Sequence, residues 1–205
     1  QLPDGSFEML CKLATELNIW NSIETLMSSS GYIQRQAQMG QISMKGAVFN
    51  METGKVQFLG RHPSKAALLQ KSVRMDMIRD ASSARVPPDQ AMAQLVAGNR
   101  RYGLGSRGFD KRDQELLMHL TESGQNPIAA VLGCSDSRAP IELMFDLRPG
   151  DLFVLRDAGN TVAAMSTSII GSMEYALAVL GTQLVVVTGH TKCGAVTTAV
   201  KAVIA

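Results

Sequence analysis

Apolar residues recur along this chain with two periods, and the change between them divides it. Over residues 7–39 the period is helical: Leu10, Leu13, Ala14, Leu17 and Trp20 fall on one face, and Ile23, Leu26 and Met27 continue it. The cluster Ser28-Ser29-Ser30-Gly31 predicts a break, with a second short helix over 31–39 that ends near Gly40. Residues 41–59 alternate as strands do. Ile42, Met44 and Ala47-Val48-Phe49 lie on one strand, Glu52-Thr53-Gly54 turns the chain, and Val56 and Phe58 lie on the returning strand. The spacing of Leu68, Leu69, Val73, Met77 and Ile78 predicts a linking helix over 64–83, stopped by Pro87-Pro88. Asp89 is the expected N-cap of the next helix, through Ala91, Leu95 and Val96, with Gly98 closing it. Residues 99–113 are expected to be mostly loop, and another helix runs to about Ser123.

From residue 128 onward strand and helix alternate. Ile128 to Leu132, Leu152 to Leu155 and Leu184 to Val187 are short continuous apolar runs, as strands buried on both faces are. Ile141 to Phe145 reads as a short helix, and 165–180 as a longer one with Ile169, Ile170, Met173, Ala176, Leu177 and Leu180 on its apolar face. A further helix begins near Gly194. The expected fold class is α/β, a mostly parallel central sheet flanked by helices with right-handed crossovers.

Composition narrows the possibilities without choosing among them. The 205 residues are 45% hydrophobic, enough for a real core. Twenty basic and 18 acidic residues leave a net charge of +2, too balanced to suggest a nucleic-acid partner. No apolar run approaches the ~20 residues of a membrane span. Three scattered cysteines make no disulfide framework, which fits a reducing compartment such as cytoplasm or plastid. The chain begins with Gln1 and shows no targeting segment, so its address is unknown and it is expected to be a fragment or processed product.

Candidate chemistry sits in two short motifs, Cys134-Ser135-Asp136-Ser137-Arg138 and His190-Thr191-Lys192-Cys193-Gly194. Each follows an apolar strand, and sites in open α/β sheets form beyond the carboxyl ends of strands. Two loops at one sheet edge converge even though Cys134 and His190 are 56 positions apart. They supply two thiolates and an imidazole. That is a three-ligand zinc set with a fourth tetrahedral position left for water, the pattern of a catalytic site. Other readings stand beside this one. A closed structural zinc site needs a fourth ligand, and only Asp136 lies near in sequence. A redox pair lacks the Cys-x-x-Cys spacing. Cys11 reads as a small buried hydrophobe, and His62 and His119 as surface or satisfied histidines. Asp136 and Arg138 form either a structural ion pair or, beside a metal ligand, an orienting dyad.

The stretches AAVLGCSDSRAPIELMFD, GDLFVLRDAGNTV, GSMEYALAVLGT and LVVVTGHTKCGAV resemble the β-class carbonic anhydrases, and MAQLVAGNRRY (92–102) resembles their upstream helix. The similarity covers about residues 88–201. It implies that Cys134, His190 and Cys193 bind one zinc ion. It implies a catalytic dyad in which Asp136 accepts a hydrogen bond from zinc-bound hydroxide and Arg138 holds the carboxylate in place. Gln125, nine residues before Cys134, matches a substrate-contacting glutamine. Phe153 and Tyr175 match apolar pocket residues, for which plain core packing is the rival reading. Gly194 matches a glycine whose N–H lies near the substrate. The implied reaction is reversible hydration of carbon dioxide to bicarbonate and a proton. Two thiolates cancel the charge of zinc, so its water should be less acidic than the ~7 of a three-imidazole site and the rate should rise with pH. Two alternatives remain open: a non-catalytic zinc-binding repeat, and a carbon disulfide or carbonyl sulfide hydrolase on the same fold. Asp157 stands where the family commonly has asparagine or an apolar residue.

The N-terminal segment also resembles that family, but its end. NIWNSIETLMSSSGYI and GQISMKGAVFNMETGKVQFLG are similar to its late helix and final hairpin. The resemblance implies three parts: 1–60 as the tail of one unit, 61–87 as a linker helix, and 88–205 as the head of the next unit, carrying the zinc site. A tandem-repeat protein is therefore expected. Two outcomes are open: residues 1–60 pack onto the sheet of 88–205, favoured because both halves expose apolar faces that need cover, or both parts are halves that need neighbouring repeats or a partner chain. The partner is a second copy in a homodimer or a neighbouring repeat, since family active sites lie at subunit interfaces.

Overall fold

Five strands, β1 (Ser43–Asn50), β2 (Lys55–Gly60), β3 (Ala129–Cys134), β4 (Leu152–Asp157) and β5 (Leu184–His190), join in one sheet in the spatial order β2-β1-β5-β3-β4. The computed structural model describes residues 6–60, 79, 81–105, 114–163 and 167–204. Of the expected linking helix, 64–78 and 80 lie outside the described residues, as does His62, and 81–83 are turn and bend. The β1–β5, β5–β3 and β3–β4 pairs are parallel, and β1–β2 is an antiparallel hairpin. The N-terminal segment thus contributes the hairpin to the sheet of the C-terminal part. β1 pairs with β5 along its length, from Ser43↔Leu184 to Phe49↔His190.

Strand side chains alternate between two layers. On one face, Ala129, Val131, Leu184, Val186, Ala47 and Phe49 pack with Ala91 and Leu95 of α3 (Pro88–Gly103) and with Ile141 and Met144 of α5 (Ile141–Met144). On the other, Ala130, Leu132, Val185, Val187 and Met44 pack against three helices. These are α1 (Ser6–Ser29), α2 (Gly31–Gln38) and α6 (Thr167–Ala178). Ser30 begins α2 as its N-cap, its Oγ accepting from Ile33 N at 3.1 Å. α4 (Gln114–Ser123) precedes β3, and α7 (Gly194–Ile204) follows β5. Among the described residues no helix is long and apolar enough to cross a membrane.

The expectations for two helices, α1 and α3, are corrected. The buried face of α1 is Thr15, Ile19, Ser22, Ile23 and Leu26, whereas Leu13 and Leu17 are 51% and 57% exposed. The helix has apolar residues on two faces, and the sheet chooses between them. A Cβ at Gly189 would lie 2.8 Å from Thr15 Cγ2, and one at Gly46 would lie 2.9 Å from Ile19 Cγ2. Those two glycines open a shallow channel in β5 and β1, and the Thr15–Ile19 side of the helix settles into it. In α3, Asp89 is not the cap: Pro87 holds that position with no side-chain bond, and Asp89 falls in the first turn. Nor does Gly98 end the helix, which continues through residues expected as loop. A Cβ at Gly98 would lie 1.6 Å from the carbonyl oxygen of Phe145. Its glycine serves close approach of two backbones. Next to it, Asn99 ties three segments together. Its Oδ1 accepts from Val56 N at 2.6 Å, and its Nδ2 donates to Met144 O at 2.8 Å and Gly54 O at 3.1 Å.

Candidate metal centre

β3 and β5 lie side by side and end together, so the loops after them face one point. Cys134 closes β3, His190 closes β5, and Cys193 sits one residue before α7. Among the described residues these three form a group able to hold a metal ion, with ligand atoms all within 4.8 Å of one another. The two sulfurs are 3.9 Å apart. All three side chains are buried: Cys134 is 5%, Cys193 3% and His190 1% exposed.

The donor set fits a zinc-class cation. His190 Nδ1 lies 3.0 Å from the carbonyl oxygen of Thr191. A carbonyl only accepts, so Nδ1 carries the proton and Nε2 presents its lone pair to the sulfurs. Nε2 is buried and has no hydrogen-bond partner. An orphaned buried acceptor is costly unless something coordinates it. Cys134 Sγ accepts from two backbone N–H groups, Gly159 at 3.2 Å and Asp136 at 3.4 Å, which fix the direction of the sulfur. Two soft sulfurs and one imidazole, with no fourth ligand in the cluster among the described residues, suit an open tetrahedral zinc site.

Asp136 and Arg138 stand at the mouth. Arg138 Nη2 donates to Asp136 Oδ2 at 2.7 Å, while Arg138 Nε and backbone N both donate to Oδ1 at 3.0 Å. The guanidinium's hydrogen bonds, then the backbone N–H, hold the Asp136 carboxyl far below the usual carboxylate range. In return the carboxylate raises the Arg138 pKa further. Asp136 Oδ2 is 3.9 Å from His190 Nε2, at the edge of the ligand cluster. Arg138 Nη2 also donates to Lys192 O at 3.2 Å, which joins the two motif loops.

Several contributors to this geometry have no role that the sequence assigns. Arg156 donates to three carbonyls of the first loop, those of Cys134 (3.0 Å), Asp136 (2.6 Å) and Ala139 (3.2 Å). Lys192 takes a positive φ of 56°, unusual for a residue other than glycine, so the chain doubles back between His190 and Cys193. Its side chain pairs with Glu52 on the surface. Asp157 accepts from Thr161 Oγ1 at 2.6 Å, and its backbone oxygen accepts from Ser135 N at 3.1 Å. Cys11 is a free, half-buried cysteine of α1.

The expected substrate residues divide. Gly194 adjoins Cys193 at the start of α7, with open space where a Cβ would be. Gln125 and Phe153 lie instead toward the starting ends of β3 and β4, and Tyr175 stands beside Phe153. Phe153 pairs in register with Ala130, four residues back from Cys134, which is about 13 Å along the strand. Its ring is 5.9 Å from that of Tyr175, which is 46% exposed. Gln125 precedes β3 and so lies at the start of that strand, away from Cys134. Within one chain these three do not meet the ligand cluster.

The carbonic anhydrase family profile matches residues 129–204. Carbonic anhydrase 2 of Mycobacterium tuberculosis is 39% identical over 116 residues, covering 57% of this chain and 54% of that protein. The carbonic anhydrase of Pseudomonas aeruginosa is 47% identical over 107 residues, covering 51% of this chain and 47% of its own length. A crystal structure of a β-carbonic anhydrase of Aspergillus fumigatus is 34% identical, covers 50% of this chain and 48% of that one, and gives a TM-score of 0.38. The chain spans about half the length of the curated relatives it matches.

Proposed function

We propose that this chain, whose residues 129–204 match the carbonic anhydrase family profile, is the zinc-bearing part of a β-class enzyme that reversibly hydrates carbon dioxide to bicarbonate and a proton. The observation that carries the reading is the buried Cys134, His190 and Cys193 cluster with the Asp136–Arg138 pair at its mouth. Zinc held by those three ligands supplies Lewis-acid activation of water for attack on carbon dioxide. The protein's own groups do the rest. Asp136 stays ionised at and well below neutral pH because Arg138 holds it so, and it accepts a hydrogen bond from the attacking water. Arg138 is anchored at Lys192 O and keeps that carboxylate from rotating. The N–H of Gly194 offers a donor to a substrate oxygen, unobstructed by a side chain. His190, its Nδ1 proton committed to Thr191, stays a ligand and is not a proton carrier.

The test is stopped-flow carbon dioxide hydration with zinc content measured on the same preparation. Asp136→Asn is expected to keep one equivalent of zinc and to lose about 10²-fold or more in rate, the usual range for a group acting on a transferred proton. Loss of zinc together with rate would instead make Asp136 a ligand. One equivalent of zinc without turnover would favour the non-catalytic repeat.

We infer further that the working unit is a homodimer or a pair of adjoining repeats. Gln125 and Phe153 lie toward the starting ends of β3 and β4, away from the ligands, with Tyr175 beside Phe153, so a pocket built from all of them draws on two copies. In this reading residues 1–60 are the tail of a preceding unit, 61–87 a linker and 88–205 the head of the next. Specific activity should then fall on dilution in step with dissociation seen by light scattering; activity independent of concentration in a monomeric sample would overturn it.

A further inference from the structure

The groups that aim the candidate metal ligands are themselves held from outside the stretch that matches the family. Two relays lead inward, each starting in residues 6–60 and ending on a ligand.

The first starts at the β1–β2 hairpin. Thr191 N donates to Phe49 O at 3.0 Å, and Met51 N donates to Thr191 Oγ1 at 3.2 Å. The residue so clamped, Thr191, is the one whose carbonyl accepts the Nδ1 hydrogen bond of His190. The tilt of the imidazole therefore follows the position of the hairpin. The second starts at α1. Asn18 Nδ2 donates to Gly159 O, and Ser22 Oγ donates to Asn160 O at 2.8 Å. That turn, Ala158–Asn160, contains the Gly159 N–H aimed at Cys134 Sγ. Neither relay is incidental packing. Ser22 is fully buried, Asn160 is 1% exposed, and the turn has two residues at positive φ, Gly159 (72°) and Asn160 (50°). Such a turn persists when neighbours over-determine it. α1 reaches it because Gly189 leaves room beneath Thr15.

We propose that Asn18, Ser22 and Thr191, with the hairpin backbone at Phe49 and Met51, are positioning residues of the Cys134–His190–Cys193 site, so that the N-terminal segment sets its metal affinity. Groups bonded to metal ligands orient them and raise their basicity, and their loss commonly weakens binding about 10–100-fold. The proposal rests on the reading of this cluster as a zinc site and adds to it a source of control. Any displacement of α1 or the hairpin loosens the site without touching a ligand.

The test uses the full chain and Co2+, whose absorption reports thiolate coordination and ligand geometry, with affinities for Co2+ and Zn2+ measured against a chromophoric chelator. Thr191→Val, which keeps shape and removes the Oγ1 acceptor, is expected to bind about 10-fold or more weakly and to shift the cobalt bands. Thr191→Ser, which restores the oxygen, should recover both. The Asn18→Ala/Ser22→Ala pair should weaken binding through Cys134 and alter the thiolate-to-cobalt band, an effect that simple loss of stability does not produce. It also serves if Thr191→Val fails to fold. Wild-type affinity and spectra in Thr191→Val and the double variant would overturn the inference, as would equal losses in Thr191→Val and Thr191→Ser. A wild-type chain that binds neither metal would overturn the zinc reading itself.

Discussion

Cys193→Ser is expected to reduce the zinc content of the purified protein from one equivalent to a trace and to bring carbon dioxide hydration to the buffer background. The argument is one of ligand count and burial. Among the described residues the cluster has three donors, and the nearby Asp136 is engaged by three N–H groups of Arg138. A serine hydroxyl at neutral pH is neither anionic nor soft, so the remaining thiolate and imidazole would hold the ion alone. The loss should exceed the ~10–100-fold that follows removal of an outer partner. Serine is close in size to cysteine, and position 193 is 3% exposed, so the fold should persist with a modest penalty for one buried hydroxyl. Plasma emission spectrometry for zinc, with circular dichroism on the same sample, separates metal loss from unfolding. Retention of stoichiometric zinc would mean that Cys193 is not a ligand.

Gly98→Ala is expected to destabilise the protein by about 3–5 kcal/mol, the upper range for a core substitution. Helix propensity argues for the opposite sign, since alanine in a helix interior gains ~1 kcal/mol over glycine. Packing wins. The new methyl would sit 1.6 Å from Phe145 O and 2.7 Å from Phe145 C, and both are backbone atoms that no rotamer change can move. The helix must lift away, and Asn99 then loses its bonds to Val56, Gly54 and Met144. Thermal melting should fall by on the order of 10 °C for a domain of this size. An unchanged or raised midpoint would show that the helix does not approach the end of α5 so closely.

The cluster of Cys134, His190 and Cys193 was legible because its signal is local. Cys134, His190 and Cys193 each follow an apolar run, and any parallel sheet that makes neighbours of those runs brings the loops to one edge. The face of α1 was not legible. Leu13 and Leu17 recur as regularly as Ile19, Ile23 and Leu26, and what decides between them is Gly46 and Gly189, glycines far away in sequence whose missing side chains form the channel. Gly98 misled for the same reason: a glycine near a helix end and a glycine at a crossing look alike until the crossing partner is known. Arg156 and Thr191 stand inside the quoted stretches, yet nothing in the sequence says what they do. Their work is done through carbonyls and N–H groups, which every residue has. Resemblance named Gln125, Phe153 and Tyr175 as a set, but only the register of Phe153 with Ala130 reveals how far along the sheet from Cys134 they sit.

The spatial order β2-β1-β5-β3-β4 has a consequence for how the molecule is made. β1 meets β5 with Ser43 opposite Leu184, 141 positions later. At the ~5–20 residues per second of protein synthesis, the hairpin waits roughly 7–30 s after leaving the ribosome before its parallel neighbour exists. During that interval the inner edge of β1 is an open row of backbone donors and acceptors beside Ala47 and Phe49, available to any other nascent strand. Contacts this distant in sequence also close slowly once all the parts are present. The last strand to arrive thus ends a long aggregation-prone pause, and refolding yield should depend on protein concentration more steeply than for a sheet assembled from consecutive strands.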